Sequence, residues 1–122
     1  MPVNDNNSAS VGVNHWSLLI FSRHDDTWYH VDSNHGSNRK HARHLASKVN
    51  MYLNGNKQPN LTEIKFCQQN NSYDCGAYTM LYAQMAARRA IEGNSLDNLK
   101  VEVSEPNKLR DTIFNLILLE SN

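Results

Sequence analysis

Residues 15–22 form an apolar segment that, as an extended chain, would carry hydrophobic side chains on both faces. One face would carry Trp16, Leu18 and Ile20, and the other would carry Leu19 and Phe21. A strand that is apolar on both faces has to be covered on both, which is typical of a central strand in a sheet. The segment therefore predicts a sheet with other elements packed against each of its faces.

A second apolar segment, residues 27–33, follows the short polar sequence RHDD. The two segments predict an antiparallel hairpin. If the turn is centred in RHDD, Ser17 faces Asp32, and His15 lies diagonally from Asp32 on the same face of the sheet. Diagonal neighbours of this kind are about 7–8 Å apart, within reach of an imidazole and a carboxylate. The spacing permits a His15–Asp32 hydrogen bond without requiring one. The alternative is an exposed histidine near a strand start and an aspartate that ends a strand.

The remaining residues predict helices and one further strand. Residues 1–14 are rich in Asn and Ser and predict a loop. Helical spacing of apolar residues and helix-start signals predict helices over 39–53 and 75–91 and from Pro106 onward, and alternation predicts a strand over 62–67. Ser37 or Asn38 is a candidate cap for the first helix, and Asp74 for the second. The pattern as a whole predicts an α+β domain.

Cys75 stands at the predicted start of the second helix, followed by Gly76. The first turn of a helix offers free N–H groups and the positive end of the dipole, and both favour a thiolate. The same N–H groups can hold a developing oxyanion, and the amide of Gln69, six residues upstream, is a candidate second donor. Gly76 leaves room for a substrate backbone. The alternative is a buried structural cysteine, which is the commoner situation for a single cysteine.

Composition narrows the classes of function. The 122 residues suit one domain, and twelve basic residues balance twelve acidic ones. We therefore expect no nucleic-acid partner, and with no apolar run near the roughly 18 residues of a bilayer span we expect no membrane partner. Two cysteines, Cys67 and Cys75, are too few for a disulfide scaffold, although a single bridge between them remains an alternative.

No metal or cofactor site is expected from the residue pattern. His41 and His44 lie three apart on a predicted helix, which is a weak metal-binding pattern and more often a solvated face. The cysteine content and the lack of a signal-peptide pattern favour the cytoplasm or the nucleus.

Three motifs together resemble a known family. They are HWSLL, HVDS and QQNNSYDCG, in this order along the chain. They are similar to the motifs of the Ulp-type (sentrin-specific) cysteine proteases, which cut ubiquitin-like modifiers. The resemblance covers residues 3–91 and implies a papain-like fold, with a central, mostly antiparallel sheet packed with helices and the nucleophile at a helix N-terminus.

The resemblance also implies a role for each matched residue. Cys75 is the implied nucleophile, His15 the general base and acid, Asp32 the residue that orients the imidazole, and Gln69 an oxyanion donor. Substrate binding is assigned to three further residues: Trp16, Asp74 and Gly76. In the family the Trp after the catalytic His helps form a tunnel over the modifier's diglycine tail. For Trp16 the sequence alone favours the alternative of an ordinary core aromatic.

Within the family, the chain looks most like the deneddylase branch, because NSYDCG stands where the SUMO-cleaving branch usually has Gly-Ser before DCG. The implied substrates are a Nedd-type modifier precursor and its isopeptide conjugates on cullins and other proteins. Residues 4–14 resemble a loop that closes over the bound tail. A monomer is expected.

The family's catalytic domain is longer than this chain, and the part without a counterpart precedes Met1. Residues 1–122 are therefore interpreted as a single, N-terminally truncated protease domain. Three alternatives remain: a catalytically impaired paralogue that only binds a modifier, a SUMO-specific protease, and a small metal-binding protein.

Overall fold

The computed structural model describes residues 1–6, 14–65, 67–96 and 109–120. These residues form four strands and three helices in an α+β arrangement. The strands are β1 (Pro2–Asn4), β2 (Trp16–Ser22), β3 (Thr27–Val31) and β4 (Leu61–Ile64), and the helices are α1 (Arg39–Asn54), α2 (Cys75–Ile91) and α3 (Leu109–Glu120).

The four strands form one mixed sheet in the order β1-β2-β3-β4. The first two pairings are antiparallel and the β3–β4 pairing is parallel. In the β2–β3 hairpin, Leu18 opposes Val31 and Phe21 opposes Trp28. This is the register predicted from the position of the polar turn, and continued by one residue it sets Ser17 against Asp32.

Helices cover both faces of the sheet, as the two-sided apolar pattern of β2 predicted. On the α2 side, the cluster of buried residues contains Leu18, Tyr29, Val31, Tyr78 and Tyr82. On the α1 side it contains Val3, Leu19, Trp28, Ala42 and Ala46. Alternation along β2 sends Leu18 to one cluster and Leu19 to the other, so the two helices are packed on opposite faces of the sheet.

The N-terminus differs from the predicted loop over residues 1–14, because β1 pairs with the start of β2. Val3 is buried opposite Ser17, and the amide of Leu19 donates to the carbonyl oxygen of Met1 (2.8 Å). Three residues are too few to show a period, and only the neighbouring strand supplies the hydrogen bonds that make them extended. Residues 7–13, which contain most of the predicted tail-closing loop, lie outside the described residues.

Smaller differences concern the ends of elements. Strand β2 begins one residue later than predicted, β3 ends two residues earlier, and β4 covers 61–64 rather than 62–67. On α1, the predicted apolar position Leu53 is 40% exposed. The predicted start of the last helix at Pro106 lies outside the described residues. In the described part of α3, Ile113 packs against the core, whereas Leu116 and Ile117 are exposed.

Tyr82 anchors α2 to the loop that leads from β4 towards the cysteine. Its ring is fully buried and its hydroxyl donates to the carbonyl oxygen of Cys67 (2.9 Å). Burial raises the pKa of Tyr82, so the hydroxyl stays protonated. We expect Tyr82→Phe to lower the free energy of unfolding by about 1 kcal/mol, because the carbonyl loses this donor. Urea unfolding should show the loss, and Tyr52→Phe, at a tyrosine that is 91% exposed, should leave the midpoint unchanged.

Candidate active site

The thiol of Cys75 lies at the tip of a helix, as predicted. Cys75 is the first residue of α2, and the first intrahelical bond runs from the amide of Tyr78 to the carbonyl oxygen of Asp74 (3.0 Å). The N–H groups of residues 75–77 therefore precede any acceptor within the helix. Cys75 is 5% exposed, and both cysteines are free thiols, so the alternative of a Cys67–Cys75 bridge is wrong.

The predicted pairing of His15 with Asp32 is present. His15 Nε2 lies 2.5 Å from Asp32 Oδ1, and both residues are buried. Because Nε2 is bonded to the carboxylate, Nδ1 is the ring nitrogen that is left to accept a proton. With the proton on Nε2, the imidazole donates to Asp32 and presents a lone pair at Nδ1.

Backbone groups hold the Asp32 carboxylate in place. The amide of Asn34 donates to Oδ1 (2.9 Å), and the amide of Asn38 donates to Oδ2 (3.0 Å). Burial is the largest single influence and alone would raise the pKa of Asp32. The hydrogen bonds from His15 and from the two amides outweigh burial and together keep this pKa below its ordinary value of 3.8. Asp32 is therefore ionised at neutral pH.

The sulfur and the imidazole belong to adjoining segments. Cys75 Sγ lies 3.9 Å from the carbonyl oxygen of Asn14, the residue directly before His15. The amide of His15 is itself held by Asp5 Oδ1 (2.8 Å). The start of β2 thus meets the start of α2, which brings residues 60 positions apart in the sequence to one place.

Gln69 lines a cleft of about 510 Å³ together with Asp5, Asn14 and His15, and Cys75 is not among the residues that line it. Its Oε1 accepts a hydrogen bond from the hydroxyl of Ser33 (2.5 Å), and its Nε2 donates to the carbonyl oxygen of Asn71 (2.5 Å). An amide nitrogen carries two hydrogens, so one remains for an oxyanion. The assignment of Gln69 as that donor stays a prediction.

Asp74 occupies the N-cap position of α2, but the prediction that its side chain caps the helix is wrong. Arg110 Nε of α3 donates to Oδ1 (2.5 Å), and Asn71 Nδ2 donates to Oδ2 (2.7 Å). Arg110 also donates to the carbonyl oxygen of Tyr73 (2.9 Å). The carboxylate is used to tie α3 to the loop before Cys75, and its predicted role in substrate binding stays a prediction.

The proposed cap of α1 is corrected in the same way. Asn38 stands at the N-cap position but makes no side-chain capping bond, because its amide points into the sheet instead. As a helix-start residue Asn38 predicted only a cap, so its place beside the site was not predicted from the sequence. The available signal was its position, six residues after Asp32 at a predicted helix start.

Trp16 and Gly76 are two predicted substrate-binding residues with little packed against them. Trp16 is 40% exposed, so its interpretation as an ordinary core aromatic is wrong. Alternation along β2 places it on the α2 side of the sheet, the side on which Cys75 lies. A Cβ added at Gly76 would meet no heavy atom of the described residues within 4 Å. The packing around Gly76 therefore leaves room for a larger residue, and its predicted role in admitting a substrate backbone stays a prediction.

Within the described ranges, no three His, Cys, Asp or Glu side chains are grouped so as to hold a metal ion. No helix in that part of the chain has both the length and the apolar content needed to cross a bilayer.

Comparison with known proteins finds relatives of this chain. The chain is 39% identical over 82 residues to human "Sentrin-specific protease 8", an alignment that covers 66% of this chain and 38% of that protein. It is 32% identical over 127 residues to "NEDD8-specific protease 1" of Arabidopsis thaliana, covering 96% of this chain and 56% of that protein. The chain thus spans between about two fifths and just over half of the length of these relatives.

A solved structure shares the fold. The Xanthomonas campestris effector protein XopD, in a structure bound to ubiquitin, superimposes with a TM-score of 0.59 at 24% identity. The superposition covers 93% of this chain and 58% of that one. Residues 1–113 match the family described as "Ulp1 protease family, C-terminal catalytic domain". With a thiol at a helix tip beside a buried His–Asp pair, the chain belongs to the Ulp1 protease family.

Proposed function

We propose that this protein is a thiol protease that hydrolyses the bond after the C-terminal glycine of a Nedd-type ubiquitin-like modifier. The observation that carries the proposal is the buried His15–Asp32 hydrogen bond (2.5 Å) next to the helix that begins with Cys75. Membership of the Ulp1 family and the names of the deneddylase relatives support the reaction class and the modifier.

In the proposed reaction, His15 Nδ1 accepts the thiol proton and the Cys75 sulfur bonds to the glycine carbonyl carbon. The carbonyl electron pair moves to oxygen, where the Cys75 N–H and Gln69 Nε2 donate to it. Collapse of this intermediate breaks the bond to the leaving amine, which takes the proton from the His15 imidazolium. Water then gives a proton to His15 as its oxygen bonds to the thioester carbon, the C–S bond breaks, and the Cys75 sulfur takes the proton back from His15. Throughout, Asp32 orients the ring and stabilises its cation.

The exposed ring of Trp16 is free to close over an extended Gly-Gly tail bound beside the thiol, the role that this tryptophan has in the family. A site that admits only Gly-Gly gains specificity by excluding larger residues. The proposed substrates are the modifier precursor and its conjugates on cullins and other proteins. We further propose that the protein acts as a monomer in the cytoplasm or the nucleus.

The test uses a Nedd-type modifier that carries a C-terminal electrophile. We expect covalent labelling of the protein, complete loss of labelling in Cys75→Ala, and retained labelling in the matched variant Cys67→Ala. Labelling at Cys67 alone, or none, would contradict the proposal. A SUMO-type electrophile in parallel tests the modifier, and stronger labelling by it would reassign the substrate.

The second candidate is a protein that binds the modifier without turning it over. It is favoured by the burial of Cys75, which is only 5% exposed, and by Gln69, whose Oε1 and Nε2 both already have partners within the protein. A fluorogenic modifier conjugate separates the two, because turnover excludes the binding-only function. Saturable binding without fluorescence release would establish it.

A further inference from the structure

Asn38 is a fully buried polar residue that the reaction described above does not use. It lies at the junction of β3 and α1, with 0% of its surface exposed. Its side chain points away from the helix it precedes and towards the paired ends of β1 and β2. A buried amide of this kind needs an explanation, because burying polar groups without hydrogen bonds is costly.

Asn38 contacts both partners of the His–Asp pair. Its backbone N–H donates to Asp32 Oδ2 (3.0 Å), and its side-chain Nδ2 donates to the carbonyl oxygen of His15 (3.1 Å). One residue therefore bridges Asp32, which directly follows β3, and His15, which directly precedes β2. Because Asn38 binds Oδ2 of Asp32, it does not compete with His15 for Oδ1. Because it binds the backbone carbonyl oxygen of His15, it leaves the imidazole available for chemistry.

The orientation of the amide is well determined by its other partners. Nδ2 also lies 3.2 Å from the carbonyl oxygen of Val3 and 3.2 Å from the Ser17 hydroxyl oxygen. Ser17 Oγ is in turn 2.9 Å from Nε2 of the buried His30, whose Nδ1 lies 2.9 Å from Glu63 Oε2. Carbonyl oxygens only accept, so the nitrogen and not the oxygen must face Val3 and His15.

The oxygen of the same amide makes no comparable hydrogen bonds within the described residues. Among the described residues, Asn38 Oδ1 is buried without a hydrogen-bond partner. Leaving a buried acceptor in this state destabilises the fold. Nδ2 therefore makes all the hydrogen bonds found for this side chain, and these bonds join β1, the residue before β2 and the sheet interior.

We propose that Asn38 is a positioning residue that holds His15 and Asp32 at the distance and angle the proton transfer needs. It acts through these two residues and touches neither the thiol nor the substrate. The inference rests on the proposed thiol chemistry, but not on which modifier is the substrate. Loss of the amide lets the backbone of His15 shift relative to Asp32, which weakens the stabilisation of the imidazolium.

The test is the pH dependence of Cys75 alkylation by iodoacetamide in a Cys67→Ala background. We expect Asn38→Ala to move the midpoint of the alkylation profile to higher pH, because a less stabilised imidazolium forms the ion pair with the thiolate less readily. With a modifier substrate, kcat should fall about 100-fold with KM nearly unchanged, the cost of misplacing a reacting group by about 1 Å.

Asn50→Ala is the matched control. Asn50 is also a buried asparagine of α1, with Oδ1 accepting from Trp28 Nε1 (3.1 Å) and Nδ2 donating to the carbonyl oxygen of Lys57 (2.6 Å). It lies at the other end of the helix, so it should lower thermal stability and leave the alkylation profile in place. If both variants lower stability alike and neither moves the profile, Asn38 is structural only and the proposal is wrong.

A measurement on the unmutated protein covers the case in which Asn38→Ala does not fold. Alkylation of Cys75 should shift the backbone and side-chain amide resonances of Asn38, which should also follow the titration of His15, while those of Asn50 stay constant. Static Asn38 resonances during a clear His15 titration would overturn the inference. Neither readout needs the modifier, so failure to cleave it contradicts the proposed substrate and leaves the Asn38 result standing.

Discussion

Replacing His15 by alanine is expected to lower kcat for modifier cleavage by about 10²–10⁴-fold, the usual contribution of a positioned general acid and base. Without the imidazole, nothing in the pair accepts the thiol proton or protonates the leaving amine. KM should change little, because the ring acts on the reacting atoms and not on the folded body of the modifier. Single-turnover cleavage of a fluorogenic conjugate measures the chemical step directly.

His24→Ala is the matched control for this experiment. His24 also pairs with an aspartate, its Nδ1 lying 2.6 Å from Asp25 Oδ1, but its side chain is 96% exposed in the hairpin turn. Removing it deletes an imidazole–carboxylate pair without touching the cleft. A loss below tenfold in His15→Ala, or an equal loss in His24→Ala, would contradict the role assigned to His15.

Asp32→Asn is expected to reduce kcat by about 10²–10⁴-fold for a different reason, the loss of the correct imidazole tautomer. An asparagine whose NH₂ group takes the place of Oδ1 donates to Nε2, which moves the ring proton to Nδ1. Nδ1 then has no lone pair for the thiol proton. This NH₂ group also faces the backbone N–H of Asn34, which a carboxylate oxygen now accepts, while the amide oxygen keeps the bond from Asn38.

The substitution should also alter acid stability, and the sign follows from the direction of the shift. The folded-state pKa of Asp32 is below its ordinary value, because the hydrogen bonds from His15 and the two amides outweigh the effect of burial. Its stabilisation is therefore fully present above the unfolded-state pKa and is lost as the pH falls through the lower folded-state value. Urea unfolding between about pH 5 and pH 2 should be less pH-dependent in Asp32→Asn than in the unmutated protein.

Asp111→Asn, at an exposed aspartate of α3, is the control for the acid-stability experiment. It should leave both the catalytic rate and the pH dependence of unfolding near those of the unmutated protein. Unchanged kcat in Asp32→Asn would remove this carboxylate from the mechanism. An unchanged acid profile would show that Asp32 is not the source of the expected stabilisation.

Several features of the site could be predicted because they depend on short-range patterns. The position of RHDD between the two strand segments specifies the hairpin register, and the register places His15 diagonally from Asp32. The helix that starts at Cys75 follows from apolar residues at helical spacing, of which Tyr78 and Tyr82 are fully buried. These signals involve residues that are close together in the chain, so they can be recognised in a single sequence.

Other features depend on contacts between residues far apart in the sequence, which no local pattern indicates. Strand β1 is extended only because it pairs with the edge of β2. The parallel pairing of β3 with β4 joins two segments that are separated in the sequence by α1. Trp16 is exposed although it belongs to an apolar segment. Asp74 is paired with Arg110, 36 residues further along, and not with the helix it precedes.

The sequence by itself determined the order of the elements, the register of the hairpin and the residue types of the site, because periodicity and turn chemistry act over a few residues. Only the tertiary structure decided which polar side chains share the interior. Asn38 illustrates the difference, since a helix-start asparagine predicts a cap from propensity alone. Packing of α1 against the sheet instead brings its amide within 3.1 Å of the His15 carbonyl oxygen, and a contact between residues 23 positions apart depends on the whole fold.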